Sequence, residues 1–314
     1  MAEQKSISRR RALTILAGGG FALLGGSSRR ETLYEWRGMA LGADARIVLA
    51  HADRQFADRT LGDVWREIER LENIFSLFRP RSALSKLNRT GVLRSAPLEL
   101  IHLTRRAQAL AAITDGAFDI TVQPLWELYA AHFRAYPNDT SGPPMHQIDA
   151  VRKKIGTHLV RIEGSDIRLS PGTRLTFNGI AQGYITDRIT ALLKSRGWNN
   201  VLIDAGEIRG LGMHPDGRPW RIALANGIET LLADCAMSTS DGAGTRFTAL
   251  APQHHLFDPR SGLCAPADTA MSITARYATD ADALSTALFV APPEMHRRIL
   301  ARVPGARIVT ARKV

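Results

Sequence analysis

LTFNGIAQGYITD, residues 175–187, reads as a strand that turns through Gly179 into a helix. The helix continues to Lys194 and closes near Gly197, where a glycine suits a left-handed cap. Outward from it, residues 157–163, 167–169 and 174–177 read as short strands on one side. On the other side, 201–204, 221–225, 236–239, 255–257 and 271–275 do the same. Further upstream, two strands (33–37 and 45–50) flank Gly38 and Gly42. Phe56, Leu61, Val64, Ile68, Leu71 and Phe75 then recur at helical spacing over 53–75, and a second helix spans 97–114. YPNDTSGPP at 136–144 is the strongest loop signal. Helices at 281–290 and 293–302 and a strand at 307–310 finish the chain. Strands and helices are mixed without the strict alternation of a doubly wound sheet, so the expected fold class is mixed α/β of the α+β kind.

Composition narrows the function. The 314 residues, 45% hydrophobic and 23% charged, suit a globular protein of one large domain or two and exclude a coiled coil, a collagen-like repeat or a mainly disordered chain. Two cysteines, Cys235 and Cys264, are too few for a zinc ribbon, an iron–sulfur cluster or a disulfide scaffold. A net charge of +11 invites nucleic acid, but its distribution argues otherwise. Residues 1–30 hold six Lys/Arg against one Glu and so carry +5 of it, leaving +6 on the other 284. Arg9, Arg10 and Arg11 precede an apolar, Gly-rich run over 12–26, shorter than the ~20 residues of a membrane span. The pattern fits an export signal of the twin-arginine type, with the periplasm as destination and the export machinery as a partner. Ala12 replaces the usual phenylalanine and no clean A-x-A site follows, so the segment reads either as cleaved or as a retained anchor. The expected division is therefore 1–30 signal and 31–314 one mature domain. In an oxidising compartment a Cys235–Cys264 bridge is conceivable, but the reading favours two buried free thiols.

The chain contains no G-x-x-x-x-G-K-[ST], no G-x-G-x-x-G after a strand, no H-E-x-x-H and no C-x-x-C. Aromatic residues, 6% of the total, do not interleave with basic runs, so no stacking platform for nucleic acid is expected. What stands out instead is Asp282, Ser285 and Thr286 at i, i+3 and i+4, on one face of a helix. A carboxylate with hydroxyls presents hard oxygens suited to Mg²⁺, although routine capping chemistry on an exposed helical turn would use the same residues. Asp119, after Gly116-Ala117-Phe118, reads as an N-cap for the next helical turn, a position that also leaves amides for an anion. His254 and His255 are adjacent, so on a strand they face opposite ways and at most one enters a site.

Five segments carry a family resemblance: SLFRPRSALSKLN (76–88), GAFDITVQPL (116–125), LTFNGIAQGYITD (175–187), HLFDPRSG (255–262) and ATDADALSTAL (278–288). In this order they resemble the ApbE family of flavin transferases, which move FMN from FAD onto a Ser or Thr of a partner protein. The resemblance implies helix-covered, mostly antiparallel sheets, with FAD in a cleft between two interleaved subdomains. It implies Mg²⁺ held by Asp282, Thr286 and the backbone carbonyl of Gly179, with Ser285 a ligand in some members. Flavin or nucleotide contacts fall on Met39, Phe78, Ala117, Phe118, Asp119, Thr176, Gln182 and His255. Of the two histidines, it selects His255 as the group beside the diphosphate or acceptor hydroxyl, able to take a proton.

The pattern breaks in three places. Thr176 stands where the family commonly has Asp, and Gln182 where it commonly has Lys. T-S-G becomes Thr239-Ser240-Asp241 with the glycine delayed to Gly242. Such variation, with FNGIAQGYITDR and DAGEIRGLG, resembles the NosX-like branch that accompanies periplasmic nitrous oxide reduction, whose acceptor would be a membrane-bound redox protein. Two competing functions follow from the same residues: an FAD-binding accessory or electron-transfer protein without transfer, and a Mg²⁺-dependent FAD pyrophosphatase.

Overall fold

The computed structural model describes residues 32–41, 43–51, 53–224, 227–267 and 269–313; the expected export segment lies outside them. The chain opens with β1 (Thr32–Ala40), β2 (Ala43–His51), α1 (Arg54–Phe75), α2 (Ala83–Thr90), β3 (Val92–Leu93), α3 (Leu98–Ile113), α4 (Gln123–Ala135) and α5 (Met145–Arg152). There follow β4 (Val160–Glu163), β5 (Asp166–Leu169), α6 (Ala181–Ser195), β6 (Val201–Asp204), β7 (Ile208–Leu211), β8 (Trp220–Ala223) and β9 (Glu229–Leu232). The last elements are β10 (Cys235–Asp241), β11 (Thr269–Ala275), α7 (Ala278–Val290), α8 (Pro293–Ala301) and β12 (Arg307–Lys313).

Alternation along β2 decides the layering. Ile47 and Leu49 point to one face and Val48 to the other, and β6 repeats the pattern in register, with Val48 opposite Leu202 and Ile47 opposite Ile203. The first face packs on Val64, Ile68 and Leu71 of α1 and Ile185 and Ile189 of α6. The second packs on Trp220, Ile222 and Leu232 of the β8–β9 hairpin. These strands belong to a seven-stranded sheet in the order β1-β2-β6-β7-β10-β11-β12, with every neighbouring pair antiparallel. A smaller sheet, β3-β5-β4, is also antiparallel. The fold is thus mixed α+β with antiparallel sheets, as expected.

Helix α1 forms where the apolar stripe predicts it, and Asp53 caps it by accepting the Phe56 N–H at 3.1 Å. Helix α7 is buried along almost its whole length against β10, β11 and α6. Some expected elements are absent. Residues 174–177 form no strand, because Leu175 exchanges both backbone bonds with the Asn88 side-chain amide (2.7 and 2.8 Å) and Thr176 N–H donates to Ile120 O. Residues 255–257 make only isolated bridges, Phe257 with Cys264 and the neighbouring His254 with Arg246. Thr157–Leu159 is a single 3₁₀ turn. Helices α4 and α5, which flank the 136–144 loop, and strands β3, β7 and β9 were not expected. Cys235 and Cys264 are unpaired and half-buried; burial pushes the Cys264 thiol up to about 12.

Candidate active site

The site grows from the meeting of α6 and α7. A Cβ added at Gly183 would lie 2.2 Å from the Ala278 carbonyl oxygen and 2.8 Å from the Thr279 Cα, so glycine alone lets the helices come this close. At the contact, Asp282, only 4% exposed, accepts the Gly183 N–H at 3.0 Å through Oδ2. Asp187 from α6 accepts the Ala278 and Thr279 N–H groups, both at 2.9 Å, and the Thr279 hydroxyl at 2.7 Å. Burial raises the Asp187 carboxyl above its ordinary value, opposed by these bonds and by the charge of Arg209. Arg106 adds an ion pair to Asp280 on the same helical turn.

One turn on, Ser285 is fully buried. Its Oγ lies 2.9 Å from Ser238 Oγ, 2.8 Å from Ser240 Oγ and 2.9 Å from the Asp282 carbonyl oxygen. One donor and two acceptor sites are all a hydroxyl has, and three partners use them. Ser240 also reaches Thr286 Oγ1 at 3.3 Å. Opposite stands the turn before α6: a Cβ on Gly179 would sit 3.1 Å from Thr286 Oγ1 and 3.5 Å from the Phe118 ring. Asp282, Thr286, Gly179 and Phe118 are therefore one neighbourhood, although they come from three parts of the chain. The turn of α7 that carries Asp282 and Ser285 is buried, so the exposed capping turn that the spacing also allowed is excluded.

The remaining expected residues differ in how closely they are joined to it. Ala117 and Phe118 are buried, and Phe118 N–H donates to Thr114 Oγ1 at 3.2 Å. Asp119 is no N-cap for α4, whose cap position is Val122. Instead its Oδ1 accepts the Thr121 N–H at 2.7 Å and hydroxyl at 2.6 Å, closing a tight local turn. Burial lifts its carboxyl above the ordinary value, with the Thr121 and Thr157 bonds opposing. Thr176 is tied to the same segment by its bond to Ile120, and its Oγ1 accepts the Asn178 N–H at 3.3 Å. Gln182 is buried against Gly206, where a Cβ would fall 2.5 Å from Nε2.

The two histidines separate clearly. His254 has no exposed surface: Nε2 donates to Ala265 O at 2.7 Å and Nδ1 accepts the Leu256 N–H at 3.2 Å, while the ring packs edge-on against Phe289. His255 is half-buried. Both its N–H and its Nδ1 approach Thr245 O, at 3.1 and 3.2 Å, at the end of the loop that leaves Ser240. Met39 and Phe78 are 53% and 79% exposed, and no contact described here joins either of them to the α6–α7 site. Glu72 connects their segments: it accepts the Leu41 N–H at 2.6 Å and pairs with Arg79.

Asn88, Asp187 and Ser240 lie in the quoted sequence without an assigned role and Ser238 lies just outside it, yet these four tie the segments together. Ser238 and Ser240, two apart on a strand beside a helix bearing Ser285, were the available signal. Among the described residues no group of three or more His, Cys, Asp or Glu could hold a metal. A cation at α7 would therefore rest on one carboxylate with hydroxyl and carbonyl oxygens, a hard donor set that suits Mg²⁺.

The ApbE family model matches residues 41–309. Among curated proteins, the chain is 26% identical over 278 residues to the FAD:protein FMN transferase of Chlamydia muridarum (83% of this chain, 85% of the relative). It is 24% identical over 283 residues to the protein of the same name from Escherichia coli K12 (84% and 80%). Among solved structures, it superposes on the ApbE protein of Thermotoga maritima with a TM-score of 0.77 at 28% identity (90% and 97%). Against the apo flavinyl transferase ApbE of Pseudomonas stutzeri the TM-score is 0.74 at 27% identity (87% of each chain). The five sequence segments, the α6–α7 contact they build and the family match over most of its length agree: the chain belongs to the ApbE family.

Proposed function

We propose that this chain transfers FMN from FAD to a Thr or Ser hydroxyl of a partner protein, with AMP as the second product. The observation that carries this reading is the buried Asp282 carboxylate with, one turn on, the half-buried Thr286 hydroxyl beside the Gly179 turn, in a family whose relatives bear that activity in their names. Asp282, Thr286 and the Gly179 carbonyl would hold Mg²⁺, which when bound supplies charge neutralisation at the diphosphate. Ser285, already engaged by three partners, is read as support for Ser240 and Thr286 rather than as a ligand.

In the transfer, the acceptor oxygen forms a bond to the FMN phosphorus, the bond from that phosphorus to the bridging oxygen breaks, and AMP departs with that oxygen. The acceptor proton goes to His255. With Nδ1–H donated to Thr245 O, the ring carries its lone pair on Nε2, the tautomer such a base needs. Phe118, Ala117 and Asp119 line the flavin side, Thr176 and Gln182 the nucleotide side, and Met39 and Phe78 close the rim. The acceptor is read as a membrane-bound redox protein facing the periplasm, in the NosX-like setting of nitrous oxide reduction, with the chain exported by the twin-arginine route.

The test incubates purified protein with FAD, Mg²⁺ and a candidate acceptor, then looks for AMP and for flavin fluorescence on a denaturing gel. AMP with a fluorescent acceptor is expected. AMP with FMN in solution would identify a pyrophosphatase instead. Intact bound FAD would identify a binder, the reading motivated by Thr176 and Gln182. Asp282→Asn, which keeps an oxygen to accept the Gly183 N–H but loses the charge, is expected to abolish transfer while the protein stays folded; undiminished turnover would remove Asp282 from the site.

A further inference from the structure

Helices begin with N–H groups that have no partner within the helix. Neither α6 nor α7 satisfies them with its own cap: Ile180 and Tyr277, the two cap residues, make no side-chain cap bond. Each uses the other helix instead. Gly183, in the first turn of α6, gives its N–H to Asp282 of α7 at 3.0 Å. Ala278 and Thr279, which open α7, give theirs to Asp187 of α6 at 2.9 Å. Gly183 and Asp187 are four apart on α6 and share a face, so both bonds form across one contact. The backbones touch at Gly183, which leaves no slack for either carboxylate to shift alone.

We infer that Asp187 is a positioning residue for Asp282: by capping α7 from α6 it fixes where the Asp282 carboxylate stands, and hence the affinity of the cation site. The inference rests on the magnesium reading of Asp282 proposed above, and its structural half can be tested without metal. Partners one step behind a metal ligand typically change metal affinity by roughly 10–100-fold when removed.

Asp187→Ala and Asp187→Asn are compared with wild type and with Ile189→Val, which trims the packing of α6 in the core but leaves both bonds. The first readout is hydrogen exchange at the Gly183 amide in metal-free protein. The second is the Mg²⁺ concentration that half-saturates FAD binding, read by quenching of flavin fluorescence. Asp187→Ala is expected to expose the Gly183 amide and to raise the Mg²⁺ requirement at least about tenfold. Asp187→Asn, which retains one acceptor oxygen, should fall between, and Ile189→Val should match wild type in both. If Asp187→Ala does not fold, Asp187→Asn carries the test. A folded Asp187 variant with wild-type protection at Gly183 and a wild-type Mg²⁺ requirement overturns the inference. Wild-type FAD binding indifferent to Mg²⁺, with Gly183 exposed in Asp187→Ala, would instead sink the magnesium reading and leave the cross-cap standing.

Discussion

His254 and His255 are neighbours in sequence with opposite physical fates. The His254 ring is fully enclosed with both nitrogens engaged, and burial pulls its pKa below the ordinary 6.5. Above pH 6.5 neither the native nor the unfolded chain holds that proton, so the ring contributes no pH dependence there. As pH falls below 6.5 the unfolded chain takes up a proton that the native ring refuses, and stability declines towards the folded-state pKa. His254→Gln should therefore lose about 1–3 kcal/mol at pH 7, from strained or missing bonds to Ala265 and Leu256, yet show a shallower fall between pH 7 and 5. Urea midpoints at both pH values measure it, and parallel slopes for the two proteins would refute the assignment. His255→Ala should behave in the converse way. Its half-exposed ring costs little stability, while transfer should fall by roughly 10²–10⁴-fold, the worth of a positioned general base. The adjacency rule foresaw that at most one histidine could serve; the enclosing of His254 by Ala265 and Phe289 comes from chain far enough away that no local pattern announces it.

At the scale of elements, the same substitution should have opposite signs on two helices. Gly62 of α1 has only the far end of Arg66 near its missing Cβ, at 3.8 Å, so Gly62→Ala should gain up to about 1 kcal/mol by helix propensity. Gly183→Ala drives a methyl into the Ala278 carbonyl, which is backbone and cannot rotate away. It should cost about 1–3 kcal/mol or more and weaken FAD binding as well, because Asp282 moves with α7. Thermal melts with an FAD titration decide it; a neutral Gly183→Ala would mean that the helices do not meet as described. The contrast also explains what the sequence disclosed. Helix α1 is legible because one face is buried and the other wet, and Asp53 marks its start. Helix α7 lacks such a face, being buried nearly all round, and only its oxygen-bearing residues drew attention. Strand β7, IRGL, is buried at every position and contains Arg209 and Gly210, so it carries no period-two signal. Residues 174–177 show the reverse error: an extended, strand-like segment whose partner is the Asn88 side chain and not another strand.

At the scale of the whole molecule, the positive charge divides into two kinds. Within the described residues arginines meet carboxylates repeatedly, as in Arg79 with Glu69 and Glu72, Arg106 with Asp280, Arg174 with Glu127 and Arg260 with Asp258. Each such pair offsets a cation that a nucleic-acid backbone would otherwise attract. The +5 of residues 1–30 is different, six cations against one acid, with three arginines in succession. If that segment served only as a cationic tail, lysine would do as well, since net charge sets non-specific attraction. If it is an address read by an export receptor, the planar guanidinium matters and lysine should fail. Changing Arg9, Arg10 and Arg11 all to Lys keeps the chain at +11 and separates the two. The expected result is loss of the protein from the periplasmic fraction, with accumulation of a folded, FAD-binding protein in the cytoplasm, since residues 1–30 precede the matched family region. Unchanged fractionation would reduce the arginines to their charge and remove the twin-arginine route.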